Sequence, residues 1–153
     1  MKKIYISKKA MKHSTKGTFI YKKNKITNKN ELRMKGGGHS DANIDFLRKK
    51  SIEPEINKEY NNGVRVGNIS NHIREKNRTR NGQCWFPKSW DEKDLKKASQ
   101  HIMNIKRNKK RENGFPIQGK YHKIKIGIYT NKGYITSIFP WYIQYGGCKY
   151  DKR

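Results

Sequence analysis

The sequence predicts a single domain that contains both helices and strands, and three observations support this prediction. The chain has 153 residues, the size of one ordinary domain. Residues 90–107 carry the apolar spacing of an amphipathic helix. Residues 124–139 alternate apolar and polar side chains on both sides of a turn, as a β-hairpin does.

We expect the N-terminus to lie outside the ordered domain. Residues 1–17 are rich in lysine and have no sustained apolar period, which predicts a loose basic arm with at most one edge strand near residues 4–6. The ordered domain is then expected over residues 18–153. The apolar stretch at 4–6 is too short for a signal-peptide core or a membrane span, so another segment or chain would have to direct any export.

The ordered part is predicted to begin with a strand at residues 18–21, followed by a polar connection over residues 22–35. Three glycines at 36–38 then precede His39. Because glycine adopts positive φ without steric cost, these residues let the backbone turn tightly and aim the histidine that follows them.

Short elements are predicted in the middle of the chain. Ser40 suits the N-cap of a helix over residues 41–49. A turn signal at residues 61–63 precedes an alternating strand at 64–66. The polar residues 68–82 are expected to form a loop.

The clearest helix is predicted to begin near Trp90. Ser89 and Glu92 fit the capping box S-x-x-E at its start. The apolar residues that follow recur at intervals of three and four and define one face: Leu95, Ala98, Ile102 and Ile105. The basic residues at 106–111 suit the C-terminus of a helix and could equally contact a phosphate backbone.

The charge of the chain indicates a polyanionic partner. There are 37 Lys and Arg against 12 Asp and Glu, for a formal net charge of +25. Nucleic acid is the leading candidate, followed by an anionic membrane or an acidic inhibitor protein, and the plain alternative is a lysine-rich proteome. The 2 cysteines make neither a metal-ligand set nor a disulfide framework, although a single bridge between them remains open.

A histidine, a lysine and a hydroxyl are together the parts needed to cleave RNA without a metal ion. His39, Lys88 and the pair Thr136 and Ser137 each lie at the edge of a predicted element. In such a reaction the ribose 2′-hydroxyl attacks the adjacent phosphorus, protons leave the nucleophile and reach the departing oxygen, and a cation stabilises the added charge. Histidine suits the proton transfers because its unperturbed pKa is about 6.5.

Four short blocks stand out along the chain: Gly37-Gly38-His39-Ser40, Asn62-Gly63-Val64-Arg65-Val66-Gly67, Gln83-Cys84-Trp85-Phe86-Pro87-Lys88-Ser89-Trp90 and Ile135-Thr136-Ser137-Ile138-Phe139-Pro140. In this order and spacing they resemble the bacterial EndoU nuclease domains over roughly residues 25–140. The resemblance implies a single compact α+β domain of the barnase/EndoU/colicin/RelE type, with an N-terminal helix and an antiparallel sheet. It also implies an endoribonuclease that needs no metal or other cofactor and leaves a 2′,3′-cyclic phosphate.

The resemblance also assigns site residues by position. His39, Lys88 and Ser137 correspond to catalytic residues of the family, and a shift of one position would exchange Ser137 with Thr136. Phe139 corresponds to an aromatic that packs against a base or ribose. Contacts to the substrate are further expected from Thr136, Arg65 and Trp85.

The sequence departs from the family pattern at one catalytic position. Many EndoU proteins carry a second histidine shortly upstream of the GGH motif, where this chain has Leu32. His72 and His122 are the candidate substitutes for the missing general base, and transfer of the proton to water is the third option. One general acid or base contributes about 10² to 10⁴ in rate.

Two other classes of function compete with the nuclease. A nonenzymatic nucleic-acid-binding protein would explain the charge equally well, but not the GGHS, FPKSW and SIFP blocks, which carry few of the charges. A membrane-active toxin would need an amphipathic helix with interfacial aromatics, which the sequence lacks.

The resemblance extends to biological context. It implies a toxin, secreted or delivered to a competing cell, that acts on RNA in the cytoplasm of the target, with tRNA as one candidate substrate. The partners expected are RNA and a cognate acidic immunity protein that covers the basic cleft, with no membrane partner and a monomeric state when free.

Overall fold

The computed structural model describes residues 4–105, 108 and 115–152. Within them lie the helices α1 (Lys8–Thr15), α2 (Asp41–Lys49), α3 (Glu75–Thr79) and α4 (Glu92–Met103). The strands are β1 (Thr18–Lys23), β2 (Asn30–Gly36), β3 (Glu55–Tyr60), β4 (Arg65–Asn68), β5 (Gln83–Trp85), β6 (Ile117–Tyr121), β7 (Ile124–Asn131), β8 (Tyr134–Pro140) and β9 (Cys148–Asp151). The predicted α+β class is confirmed.

The described strands form three antiparallel sheets rather than one central sheet. Strands β1 and β2 make a hairpin, four strands pair in the order β5-β4-β3-β9, and three pair in the order β6-β7-β8. Most of the buried apolar side chains form one core cluster, to which the four-stranded sheet, the three-stranded sheet and α4 all contribute. A smaller cluster around Met34, Leu47 and Trp85 joins β2, α2 and β5.

The N-terminal segment is part of the folded domain, so the prediction of a loose arm at residues 1–17 is wrong for residues 8–15. The side chain of Ser7 caps α1 by accepting a hydrogen bond from the Ala10 N–H (3.0 Å). One face of the helix is buried, with Met11 in the main core. The buried face includes only two apolar residues and is surrounded by lysines, so the sequence shows no clear apolar period there.

The elements with local sequence signals lie where they were predicted. Helix α2 has the predicted bounds, and β7 and β8 form the predicted hairpin. The polar connection expected at 22–35 is partly wrong, because residues 30–36 form β2 and pair with β1. The loop expected at 68–82 contains the short helix α3.

Helix α4 begins two residues later than predicted. Its N-cap is Asp91, and a reciprocal capping box joins Asp91 with Asp94 instead of Ser89 with Glu92. The ring of Trp90, just before the helix, stacks on Phe86 with centroids 5.2 Å apart. Apart from residue 108, the basic segment 106–111 lies outside the described residues. Among the helices of the described residues, none is long and apolar enough to cross a membrane.

Candidate active site

A broad cleft opens between α1, the β1–β2 hairpin, the segment around α3 and the strand β8. Its lining includes three histidines, His13, His39 and His72, and several cations, among them Lys12, Lys16, Lys35, Arg74 and Lys76. Imidazoles and cations in one concave site are the groups that a phosphodiester-cleaving enzyme requires.

The glycine segment before His39 is held against the end of α1. Gly37 and Gly38 have φ values of 69° and 71°, a region that other residues rarely adopt. A Cβ atom on Gly37 would lie 2.0 Å from the carbonyl oxygen of His13, so only glycine fits there. The backbone N–H groups of Gly38 and His39 donate to the carbonyls of His13 (2.9 Å) and Ser14 (2.6 Å). These bonds bring His39 to the C-terminal turn of α1.

Buried Gln83 holds the same segment from the other side. Its amide nitrogen donates to the carbonyl oxygens of Gly37 (3.0 Å) and Gly38 (2.7 Å). These two hydrogen bonds from a buried amide fix the backbone of the glycine segment. They therefore also fix the position of His39, which follows it.

His39 is arranged as a proton acceptor. Its Nδ1 lies 2.8 Å from the carbonyl oxygen of Cys84, and since a carbonyl only accepts, Nδ1 carries the proton. The other ring nitrogen, Nε2, therefore holds a free lone pair in the neutral ring. Burial lowers the pKa of His39 to about 4, against the opposing effect of the Cys84 carbonyl, and the nearby His13 and His72 lower it further. The imidazole is thus neutral at pH 7.

His13 is the second histidine of the cleft, and the sequence analysis missed it. Its Nδ1 lies 2.6 Å from Thr18 Oγ1, and burial lowers its pKa. The expected position, Leu32, lines the same cleft. His13 lies within the segment that was expected to be a disordered arm, so only the tertiary contact of α1 with the glycine segment identifies it.

The two histidines proposed from sequence as substitutes are placed differently. His72 is buried, its Nδ1 accepts the Arg74 N–H (3.0 Å), and burial together with the surrounding arginines and Lys76 lowers its pKa to about 4. His122 lies exposed in the turn between β6 and β7 with its ring against Tyr121, and is not among the described residues that line the cleft. His72 therefore lines the cleft with its Nδ1 already engaged by the backbone, whereas His122 lies elsewhere.

Several lysines line the cleft, but the predicted Lys88 is not among those described there. Lys88 is exposed and is absent from the cleft lining within the described ranges. Lys76, on α3, lines the cleft and lies near enough to Cys84 to favour its thiolate. Lys76 therefore lies on the same side of the cleft as Cys84, whose carbonyl holds His39.

The predicted residues of β8 do reach the cleft. Ser137 is buried and Thr136 exposed, and both line it. The Thr136 hydroxyl donates to the carbonyl of Tyr129 (3.1 Å). The ring of Phe139 lies 5.9 Å from that of His39. Phe139 and His39 thus lie side by side in the lining of the cleft.

Arg65 and Trp85 do not contact the cleft as expected, since both are buried in the structure. Trp85 is fully buried, and its indole N–H donates to Asn43 (3.0 Å). Arg65 pairs with Asp41 at the start of α2 (2.6 Å) and donates to the Phe86 carbonyl. In this structure both side chains hold neighbouring elements together and are absent from the described lining of the cleft.

The cysteines are free, Cys84 buried and Cys148 exposed. Burial raises the pKa of the Cys84 thiol to about 12, so it remains protonated at neutral pH. Within the described part of the chain, no group of three or more His, Cys, Asp or Glu side chains is placed to hold a metal ion.

The fold and the cleft define an α+β protein with three histidines and several cations in one concave site. The family model described as bacterial EndoU nuclease matches residues 7–142. The chain belongs to this family, which implies a nuclease enzyme. No curated protein and no solved structure matches it significantly. The family match begins at residue 7 and thus includes α1 with His13.

Proposed function

We propose that the protein is an endoribonuclease that cleaves RNA by attack of a ribose 2′-hydroxyl, leaving a 2′,3′-cyclic phosphate. One observation carries this proposal: His39 and His13 share a basic cleft, and the hydrogen bond to Cys84 leaves Nε2 of His39 free to accept a proton. Family membership supplies the nuclease class.

In the proposed reaction His39 is the general base. Its Nε2 takes the proton of the 2′-hydroxyl as the oxygen attacks phosphorus, and Lys76 stabilises the charge that develops on the phosphoryl oxygens. His13 gives a proton to the departing 5′-oxygen. An anionic phosphodiester in the cleft raises the pKa of both imidazoles, and so favours the charged form of His13 that this step needs.

Removing the proposed nucleophile, the ribose 2′-hydroxyl, tests this reaction. We expect an oligoribonucleotide to be cut by the wild-type protein, and the same oligomer with a 2′-deoxyribose at the cut position to resist at that position. The 5′ fragment should carry a cyclic phosphate, detected by mass spectrometry. Cleavage of the deoxy-substituted position would contradict the mechanism. Tight RNA binding with no cleavage under any condition would favour the nonenzymatic binding protein.

The two lysines allow a matched comparison. We expect Lys76→Ala to lower kcat by about 10²- to 10³-fold, as for loss of a transition-state charge contact, and Lys88→Ala to lower it by less than about 3-fold. Single-turnover cleavage of one oligoribonucleotide measures both. A larger loss of kcat in Lys88→Ala than in Lys76→Ala would show that Lys88, as predicted from the sequence, contacts the phosphate.

We also propose that the nuclease is a toxin domain that acts in the cytoplasm of a target cell and is neutralised by an acidic immunity protein. The net charge of +25 and the lysines of the open cleft support this proposal, because an inhibitor that covers them must supply negative charge.

A further inference from the structure

A threonine hydroxyl lies against His13 because of the way α1 ends. Gly17 follows the helix with a φ of 103°, a region that other residues rarely adopt. Its N–H donates to the carbonyl of Lys12 (3.0 Å). A glycine in this conformation ends a helix and turns the chain. The turn brings Thr18, at the start of β1, back beside the His13 ring.

The ring of His13 is held on two sides. Its Nδ1 lies 2.6 Å from Oγ1 of Thr18. Its Cε1 faces the backbone of Gly36 and Gly37, where an added Cβ would lie 3.5 Å and 3.0 Å away. His13 and Thr18 both line the cleft, and among the described residues no hydrogen bond occupies Nε2. Nε2 is therefore the ring nitrogen that remains for a substrate.

The partners of the two catalytic histidines differ in kind. The Cys84 carbonyl only accepts, which fixes the ring proton of His39 on Nδ1. A hydroxyl both donates and accepts. Within the described part of the chain the Thr18 hydroxyl has no other hydrogen-bond partner. In a neutral His13 ring it therefore donates to Nδ1, and the ring proton lies on Nε2. In a charged ring the hydroxyl turns and accepts from the Nδ1–H.

We propose that Thr18 is a positioning residue for the reaction: its hydroxyl holds Nδ1 of His13 in both charge states, so that Nε2 presents its proton to the departing oxygen. The inference rests on the proposed ribonuclease function and adds a residue through which His13 acts. In this step the Nε2–H bond of the charged ring breaks and the proton joins the 5′-oxygen. That oxygen keeps the electron pair of the P–O bond that breaks. The ring becomes neutral, and its Nδ1–H stays hydrogen-bonded to the Thr18 hydroxyl.

Two substrates that differ only in the leaving group test this role in the full chain. The departing oxygen of uridylyl-3′,5′-uridine needs a proton, whereas uridine 3′-(4-nitrophenyl phosphate) releases nitrophenolate, which leaves without one. Valine keeps the branched shape of Thr18 but lacks the hydroxyl. We expect Thr18→Val to lower kcat for the dinucleotide by about 10- to 100-fold, as outer partners of metal-bound histidines do, and for the nitrophenyl ester by less than about 3-fold.

Three further variants complete the comparison. Thr18→Ser restores the hydroxyl and should cleave both substrates at close to the wild-type rate. His13→Ala should lose the dinucleotide and retain the ester, because it lacks the proton donor itself. Thr15→Val is the matched control: the Thr15 hydroxyl, also on α1, donates to the Met11 carbonyl (2.8 Å) and is absent from the described lining of the cleft. It should cleave both substrates like wild type.

The comparison can overturn the proposal in two ways. Equal losses on the two substrates in Thr18→Val would show that the hydroxyl serves only the fold, because a general disturbance of the site affects both leaving groups alike. A loss in Thr18→Val that Thr18→Ser shares would show that the hydroxyl is not the group required.

The tautomers of the two histidines test the Thr18 contact without any cleavage. Burial lowers the pKa of His13, so its ring is neutral above neutral pH. Long-range ¹H–¹⁵N spectra of the wild type should show the ring proton of His13 on Nε2 and that of His39 on Nδ1. In Thr18→Val, His13 should become a mixture of both tautomers while His39 is unchanged.

These spectra separate the proposal from the proposed function. A His13 that carries its proton on Nδ1 in the wild type, or that keeps the Nε2 tautomer in Thr18→Val, would overturn the role of Thr18 even in a protein that cleaves RNA. The expected tautomers in a protein that cuts no RNA would support the Thr18 contact and refute the ribonuclease function.

Discussion

His39→Ala and His13→Ala are each expected to lower kcat for RNA cleavage by about 10²- to 10⁴-fold, the contribution of one general base or acid. The first variant lacks the Nε2 that is proposed to accept the nucleophile's proton, and the second lacks the imidazole that is proposed to protonate the leaving oxygen. The double variant is expected to be little worse than either single one, because residues that act together are not additive.

His101→Ala is the control for this comparison, since His101 is exposed on α4 and packs beside Tyr121. It should cleave RNA at the wild-type rate. Circular dichroism and binding of a 2′-O-methyl oligomer would show that the variants are folded. Wild-type cleavage by His13→Ala would refute its role as proton donor and leave water as the proton source.

Acid should destabilise the fold before the carboxylates titrate. Burial lowers the pKa of His39 and of His72 to about 4, against 6.5 for the unfolded chain. Well above pH 6.5 neither the folded nor the unfolded chain binds these protons. As the pH falls below 6.5 only the unfolded chain takes them up, so stability is lost down to about pH 4. Between pH 6.5 and 5 the two groups together should lower the free energy of unfolding by roughly 3 kcal/mol.

Urea unfolding at a series of pH values measures this loss, and His72→Asn isolates one contribution. An asparagine Oδ1 takes over the role of His72 Nδ1, which accepts the Arg74 N–H, but it does not titrate. The variant should lose only about half as much stability over the same interval. A wild-type stability that stays constant from pH 6.5 to 5 would show that both histidines accept protons freely in the folded state.

The sequence predicted those parts of the fold that depend on local signals. Helix α2 begins after Ser40 as predicted, although the Ser40 side chain makes no capping hydrogen bond. The β7–β8 hairpin follows from a turn and an apolar alternation. The start of α4 was misplaced because S-x-x-E and D-x-x-D both fit a capping box within three residues of each other. Helix α1 was missed because its apolar face is short and lies among lysines.

The candidate site was predictable only in part, since most of its geometry is tertiary. The preceding glycines indicated His39, and the motif on β8 indicated Phe139. Both could be predicted because each signal lies next to the residue in the sequence. Nothing near His13 in sequence points to a partner 26 positions along the chain, and it is backbone bonds to the glycine segment that bring the two together. Trp85 and Lys88 share one motif, yet the first turns into the core and the second to solvent.

The candidate site is assembled from both ends of the chain. The hydroxyl of Ser14, next to His13 on α1, accepts the N–H of Ile138 on β8 across a separation of 124 residues. Contacts between such distant segments form late in folding, because the intervening chain must be ordered first. A nascent chain that has not yet released β8 from the ribosome therefore lacks this wall of the cleft. Until β8 has been synthesised and has docked on α1, His13 and His39 do not lie in a complete cleft.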